Sequence, residues 1–513
     1  MFSLIQSSSV IGMSSFLVRV EVDVSNGLPG FEIVGMASSE VKEAKERVKV
    51  ALKNIGITLP PKKITVNLSP ANIRKTGTAL DLPIAVGMLA AMEMIPPDSI
   101  ENTLFVGELG LNAELKFVRG ILPSVIMAKE QRIRKCIVPK VNVSEGSIVK
   151  DTEVIGFENL VDIIDYLVNG KTSDTRCYTV KTDPDQILAS GRNIRNDDFE
   201  DVYGQEGVKR VAEIAAAGFH HFMMVGPPGA GKSMIAKRIP SILPPLSMKE
   251  SLEISQIYSI KGLLSEDNPL IISRPFLAPH HTTTTKAMTG GGSNRVQPGI
   301  ISMAHRGVLF LDEAPHFSRE VLEVLRQPLE DKKVEVSRIG GSFIFPADFM
   351  LVLACNPCPC GYFPDRNKCR CTEYEIQRYR AHLSGPILDR IDLCVSANKI
   401  SIDELKGMGK KPESSEEIRE RIQVARKMQE RRFAGTGYTF NSEIGSGVIQ
   451  EYCKMDAPAQ KLLEKAYEKL ALSARAYHRI LRVSRTIADL EESEKICANH
   501  VAEAIGYRVA DSL

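Results

Sequence analysis

Phe16-Leu-Val-Arg-Val-Glu-Val-Asp-Val24 alternates apolar and polar positions, the period of a strand with one buried face. Val41, Ala44, Val48, Ala51, Leu52 and Ile55 recur at helical spacing and predict an amphipathic helix. Ile64–Leu68 predicts a second strand, and Asp81 to Met94 is apolar on all sides, which predicts a buried helix. These signals describe an α+β domain over residues 1–170. The polar stretch 171–197 shows no period and reads as a linker. From 198 to 400 short apolar runs alternate with helical ones, which predicts a parallel sheet covered by helices. Lys332 to Phe345 reads as a β-hairpin, with Arg338 and Gly340-Gly341 near its turn. Ser414 to Arg432 predicts one charged helix, and several amphipathic helices fill 441–513, so residues 401–513 form a helical domain. The fold class is multidomain α/β.

Composition narrows the setting. A chain of 513 residues holds two to four domains. Its net charge of +2 excludes a global polybasic field. No apolar run is long enough to span a bilayer, and Met1-Phe-Ser-Leu-Ile-Gln6 lacks the cationic start of a secretory signal. The expectation is a cytoplasmic protein with no membrane partner. Ten cysteines then read as reduced thiols. Six of them (Cys136, Cys177, Cys355, Cys394, Cys453 and Cys497) are scattered and fit buried packing.

Gly226-Pro227-Pro228-Gly229-Ala230-Gly231-Lys232-Ser233 matches the phosphate-binding P-loop. It follows the apolar strand Phe222–Val225 and precedes a helical pattern, the context such a loop requires. Its glycines admit backbone N–H groups to the phosphates of ATP. Lys232 would reach the β and γ phosphates, and Ser233 would ligate Mg²⁺. A second apolar strand, Val308–Leu311, ends in Asp312-Glu313. There Asp312 would orient a Mg²⁺-bound water and Glu313 would polarise the attacking water. Asn356 ends the apolar run Phe349–Cys355 and can position that water as well.

Cys358-Pro-Cys360 and Cys369-Arg-Cys371 form two C-x-C pairs in a Pro- and Gly-rich loop. Four clustered thiols in a reducing compartment predict tetrahedral Zn²⁺ with a structural role. An iron–sulfur cluster is the alternative. His280 and His281 lack partner spacing for a metal and read as loop structure.

Gly226–Ser233, Val308–Glu313, Asn356, Ser384–Asp392, Leu472–Ala476 and the segment Arg274–Arg306 together resemble the AAA+ ATPases of the magnesium-chelatase-like clade. With the N-terminal domain included, nearly the whole chain is similar to the ComM/YifB family. The resemblance implies an AAA+ αβα core with a C-terminal helical lid. It makes Asn356 sensor 1, Arg475 sensor 2 on that lid, and Arg390 an arginine finger acting on a neighbouring subunit's ATP. A finger in trans implies a homo-hexameric ring. Spacing alone would leave both arginines in surface salt bridges.

Val106–Gly110, Gly120-Ile121 and Cys136–Pro139 resemble the Lon protease domain, a ribosomal S5-like α+β fold. That register puts Ala79 at the nucleophile and Leu122 at the lysine, so the Ser–Lys dyad is missing. Thr78 is a shifted candidate without an evident base. A scaffold or partner-binding role is the expectation.

In related helicase rings the hairpin before sensor 1 points into the pore. Lys332, Lys333 and Arg338 would then grip phosphates. Arg479 and Arg482 share a helical face with Arg475 and read as solvated or interfacial. The basic residues of 414–432 read as a solvated face. The family resemblance implies a DNA motor, a helicase promoting branch migration of single-stranded or branched DNA during transformation. The rivals are a chelatase-type protein-remodelling ATPase, an ATP-dependent protease and a nucleotide-gated scaffold.

Overall fold

The computed structural model describes residues 1–172, 176–191, 197–292, 295–338, 341–383, 385–399 and 412–508. The expected domain boundary at 400/401, Ser384, Gly340 and the end of the expected linker near Asn196 lie outside the described residues.

Seven strands build the N-terminal sheet: β1 (Phe2–Ile11), β2 (Ser14–Ser25), β3 (Gly30–Val34), β4 (Lys63–Ser69), β5 (Thr103–Phe105), β6 (Lys135–Pro139) and β7 (Glu153–Phe157). Their order is β3-β4-β2-β1-β5-β6-β7, antiparallel in β1–β2–β4 and parallel through β5–β6–β7. Alternation in β2 sends Val18, Val20, Val22 and Val24 to one face. There they pack with helices α1 (Ser39–Asn54) and α2 (Asp81–Ala91). Ser38 caps α1 by accepting from the Val41 N–H. The other face, where Leu17 points, is covered by α3 (Ile121–Glu130).

The expected linker is docked rather than free. Tyr178 pairs with Gly156 of β7, and a short helix, α4 (Pro184–Ser190), packs half-buried Ile187 against the α3 cluster. A helix of seven residues is too short to print a readable period in the sequence.

The central region places five parallel strands in one sheet. They are β8 (Phe222–Val225), β9 (Phe276–Leu277), β10 (Val308–Leu311), β13 (Met350–Cys355) and β14 (Leu393–Ser396). Strands β11 (Lys333–Arg338) and β12 (Gly341–Pro346) form the separate antiparallel hairpin expected from the sequence. The sheet order is β9-β10-β13-β8-β14. Strands β8, β10 and β13 are buried at every residue, the near-continuous apolar reading of a sheet covered on both faces. Helices α5 (Glu206–Gly218) and α6 (Lys232–Ile242) lie in the cluster on one side. Helix α7 (Met248–Lys261) packs on α3 and joins this region to the N-terminal domain. At that joint buried Glu145 accepts from the Leu122 N–H at 2.9 Å and from the Ser259 hydroxyl.

Helix α8 (Glu373–Ala381) follows the cysteine loop. The C-terminal helices α9 (Ser415–Arg432), α10 (Ala457–Lys469), α11 (Ala474–Leu490) and α12 (Ala498–Gly506) share one apolar cluster with α5 and α6. Capping boxes start both α8 and α9. Lys427 and Arg431 of α9 are exposed as expected, but three of its arginines are engaged by other elements. Arg421 pairs with buried Glu213, and Arg426 donates to the Thr439 carbonyl. Arg432 pairs with fully buried Asp489. Asp489 also accepts from Arg485 at 3.1 Å and Asn441 at 2.8 Å. The sequence shows i,i+4 glutamates that suggest solvent pairs, but the partners come from other elements.

Among the described residues no helix is long and apolar enough to cross a membrane. Asp489→Ala leaves the Arg485 and Arg432 guanidiniums without their shared buried anion. The expected cost is about 3–5 kcal/mol, the range for one broken buried pair, read as a lower midpoint in urea unfolding monitored by circular dichroism.

Candidate active site

The P-loop connects the end of β8 to the start of α6. Gly229 and Gly231 have φ of +79° and +80°, left-handed conformations that a side chain resists. Left-handed residues alternating along the loop curl its amides toward one concave side. That concavity opens on the N-terminus of α6, where backbone N–H groups and the helix dipole favour an anion. A Cβ built at either glycine meets nothing within 4 Å, so conformation rather than crowding selects glycine. The Lys232 ammonium donates to the carbonyls of Gly226 at 2.7 Å and Pro227 at 3.0 Å, and to Asn356 Oδ1 at 3.1 Å. Burial holds it below the usual lysine pKa, opposed by nearby Asp312. One cation therefore stands between the loop and the end of β13.

Ser233 Oγ donates to Asp312 Oδ2 at 2.5 Å. A hydroxyl and a carboxylate oxygen this close are hard donors that suit Mg²⁺. Glu313 has φ of +50° and donates its N–H to Asp312 Oδ1 at 2.9 Å. The left-handed backbone is uncommon outside glycine, and the Glu313 side chain is exposed. The structure thus brings Lys232, Ser233, Asp312, Glu313 and Asn356 to one edge of the sheet.

The four loop cysteines converge beside this edge. Their sulfurs all lie within 4.8 Å of one another. Cys358 Sγ is 3.4 Å from Cys360 Sγ and 3.7 Å from Cys369 Sγ, and Cys360 and Cys369 are 3.6 Å apart. Cys358 and Cys369 are buried, and Cys360 and Cys371 half-buried. Of the scattered thiols, Cys136, Cys355, Cys394 and Cys453 are buried, while Cys177 and Cys497 are half-buried. Burial pushes the Cys355 thiol up to about 12, which keeps it a neutral core group.

Arg390 and Arg475 stand elsewhere. Both line a cavity of about 580 Å³ with Phe219, His221, Asp348 and Phe349, residues that precede β8 and β13. That is the amino edge of the sheet, while the P-loop is on the carboxyl edge. Neither arginine lines one site with Asn356 in the same chain. Arg390 pairs with Glu330. Two residues take roles the sequence did not suggest. Arg479, expected solvated or interfacial, donates to the carbonyls of Leu388, at 3.2 Å, and Ile391, which flank Arg390. Arg482 donates to the Ile444 carbonyl at 2.8 Å. The only signal was the shared basic face with Arg475, which carries no partner.

Lys332 is likewise not a free phosphate contact. It is paired with Glu443 of the C-terminal region and with Asp348, at 3.4 Å, at the base of the hairpin. Lys333 and Arg338 are exposed. Arg338 reaches Gly291 of a neighbouring two-residue hairpin, Gly290–Gly291 with Gln297–Pro298. His280 bonds Thr282 at 2.9 Å and stacks on His281, which faces His316. They build the loop.

Ala79 and Thr78 of the N-terminal domain line a cavity with Glu40, Glu108, Arg119 and Ser124 of that domain and Arg295 of the central region. Leu122 is buried in the core. Thr78 does have a partner, the Glu108 carboxylate, which sequence reading left unidentified. Lys75 is buried and bonded to the carbonyls of Gly35 and Pro70.

Three family models match the chain in succession. These are subunit ChlI of Mg-chelatase over residues 20–142, magnesium chelatase subunit ChlI over 198–405, and the ChlI C-terminal region over 412–508. The competence protein ComM of Haemophilus influenzae is 40% identical over 99% of this chain and 97% of its own length. The protein YifB of Escherichia coli is 39% identical over 100% of this chain and 98% of its own. Lon protease 2 of Bacillus subtilis is 23% identical over 34% of each chain, a partial likeness. A P-loop, an acidic strand end and a polar strand end on one parallel sheet, inside a full-length match to these relatives, place the chain in the ComM/YifB family of magnesium-chelatase-like AAA+ ATPases.

Proposed function

We propose that this chain is the subunit of a cytoplasmic, ATP-hydrolysing hexameric ring that moves on single-stranded or branched DNA, as a helicase in the recombination of transforming DNA. Its parts are an N-terminal Lon-like domain (1–170), a connecting segment (171–197), the ATPase core (198–400) and a helical lid (401–513). One structural Zn²⁺ occupies the cysteine cluster. The carrying observation is the separation of Arg390 and Arg475 from the P-loop by the full length of the strands. The four residues of β8 span about 13 Å, more than an arginine side chain covers. The site on one chain is complete only when a second chain's amino edge faces it.

In that assembly Lys232 and the loop amides hold the phosphates, and Asn356 orients Lys232 and the attacking water. Glu313 takes that water's proton as the bond to phosphorus forms and the bridging oxygen leaves with ADP. Ser233 and Asp312 would hold Mg²⁺, which would supply charge neutralisation at the phosphate oxygens. Arg390, clamped by Arg479, and Arg475 face the charge on the neighbouring subunit's phosphates. The DNA assignment draws on the competence protein among the relatives and on the exposed cations Lys333 and Arg338 at the core's hairpin. The matched ChlI models favour a second reading, a protein-remodelling ATPase without DNA translocation.

Lys232→Ala should abolish binding of a fluorescent ATP analogue. Glu313→Gln should keep binding and slow hydrolysis about 10²–10⁴-fold, the usual worth of a general base. Arg390→Ala should lower turnover about 10³–10⁵-fold, as for other trans arginines, with binding intact. Mixing Arg390→Ala with Lys232→Ala chains should then restore part of the turnover, because mixed interfaces join an intact P-loop to an intact arginine. Mixtures as inactive as either parent would sink the ring assignment. Steady-state ATPase at low salt should rise with single-stranded DNA or a four-way junction. Indifference to both, at concentrations where the ring has formed, would favour protein remodelling.

A further inference from the structure

The cysteine cluster lies between two segments that the nucleotide site uses. Asn356 directly follows β13, two residues before Cys358, and Gly361 follows Cys360 directly. Gly361 has φ of +84°, and a Cβ built on it would stand 2.6 Å from Pro228 Cδ of the P-loop and 3.7 Å from Asn356 Cγ. The turn at Gly361 therefore lies close against the phosphate loop, with no room for a side chain, and beside the residue that holds Lys232.

That turn is shaped by the sulfurs. The Gly361 N–H donates to the Cys358 carbonyl at 3.0 Å, and the Phe363 N–H donates to Cys358 Sγ at 3.4 Å. Tetrahedral Zn–S bonds of about 2.3 Å place sulfurs about 3.8 Å apart. The three separations of 3.4, 3.7 and 3.6 Å are close to that edge. They are far beyond the roughly 2.05 Å of a disulfide. A multinuclear iron–sulfur cluster would sit between the sulfurs and hold them wider. As four S–Zn bonds form, four S–H protons leave to solvent, and the site carries a net charge of −2. Cations stand ready for it. Arg366 donates to the Cys371 carbonyl at 3.0 Å and Arg380 to the Pro357 carbonyl at 3.3 Å, and both guanidiniums lie over the Phe363 ring.

We infer that Cys358, Cys360, Cys369 and Cys371 bind one Zn²⁺ that fixes the Gly361 turn against Pro228 and Asn356, so that nucleotide affinity depends on the metal. This rests on the nucleotide-site reading of the P-loop. Without the metal, nothing covalent joins the two C-x-C pairs, and the turn loses the tie that holds it on the loop. The ion takes no part in phosphoryl transfer. It acts as a positioning element.

The test uses the full-length protein. Elemental analysis should find about one zinc and no iron per chain. Chelation should remove it and weaken affinity for a fluorescent ADP analogue about tenfold. Added Zn²⁺, but not Mg²⁺, should restore it. Gly361→Ala keeps all four thiols. It should retain zinc while weakening ADP binding, with an unchanged circular dichroism spectrum. Purified protein without zinc, or with iron in its place, overturns the metal assignment. Zinc present, with wild-type ADP affinity in both the stripped protein and Gly361→Ala, overturns the coupling. Untreated protein that binds ADP no better than Lys232→Ala overturns the nucleotide-site reading and the coupling with it. Zinc content alone then decides the metal site.

Discussion

Parallel pairing of five short strands is the constraint from which the functional geometry follows. Parallel strands send all their carboxyl ends to one edge, and the loops that leave them converge there. The P-loop, Asp312-Glu313 and Asn356 leave three adjacent strands, β8, β10 and β13, so they meet without any long-range search. The amino edge collects what precedes the strands: His221, Asp348 and the Arg390 segment. A buried apolar sheet lies between the two groups. One chain therefore presents a cradle on one side and cations on the other.

The C-terminal helices are tied to the amino edge by buried polar bonds. His220 links Asp392, at 3.1 Å, to Thr486 of α11, at 2.8 Å. Lys332 joins Asp348 to Glu443, and Arg479 holds the turn around Arg390. Such bonds are costly to break because each would leave a buried polar group unmatched. The helical region is thus bonded to the Arg390 segment while it also packs on the P-loop helix α6. On the proposed reading, it reports one chain's state to its neighbour's nucleotide. The N-terminal domain is held just as firmly, through the α3–α7 contact and buried Glu145. The cavity beside Thr78 and Ala79 lies at this joint and is lined also by Arg295 of the central region.

Long periodic segments were readable from sequence because their own side chains fix their faces. Helix α1, strand β2 and the parallel core strands follow directly from spacing. The P-loop was readable for the same local reason: consecutive residues make its shape, and Gly229 and Gly231 announce the left-handed turns. The four cysteines also announced themselves, being close in the chain. Reading failed where the partner is distant. The arginines of α9 looked solvated because Glu213 and Asp489 are far away in sequence. Lys332 looked like a phosphate contact because Glu443 is more than a hundred residues later. The segment after residue 170 looked free because its anchors, Gly156 and the α3 cluster, belong to other elements.

Sequence by itself determined the candidate phosphate-binding loop, the class of fold and the candidate metal ligands, since each is written in contiguous residues whose local geometry is their chemistry. Tertiary structure decided which groups share a site. Arg390 and Arg475 were expected at a nucleotide by family resemblance, yet only strand direction puts them across the sheet from their own P-loop. Strand direction emerges from how distant segments pair, through backbone hydrogen bonds that every residue offers alike, so no single motif encodes it.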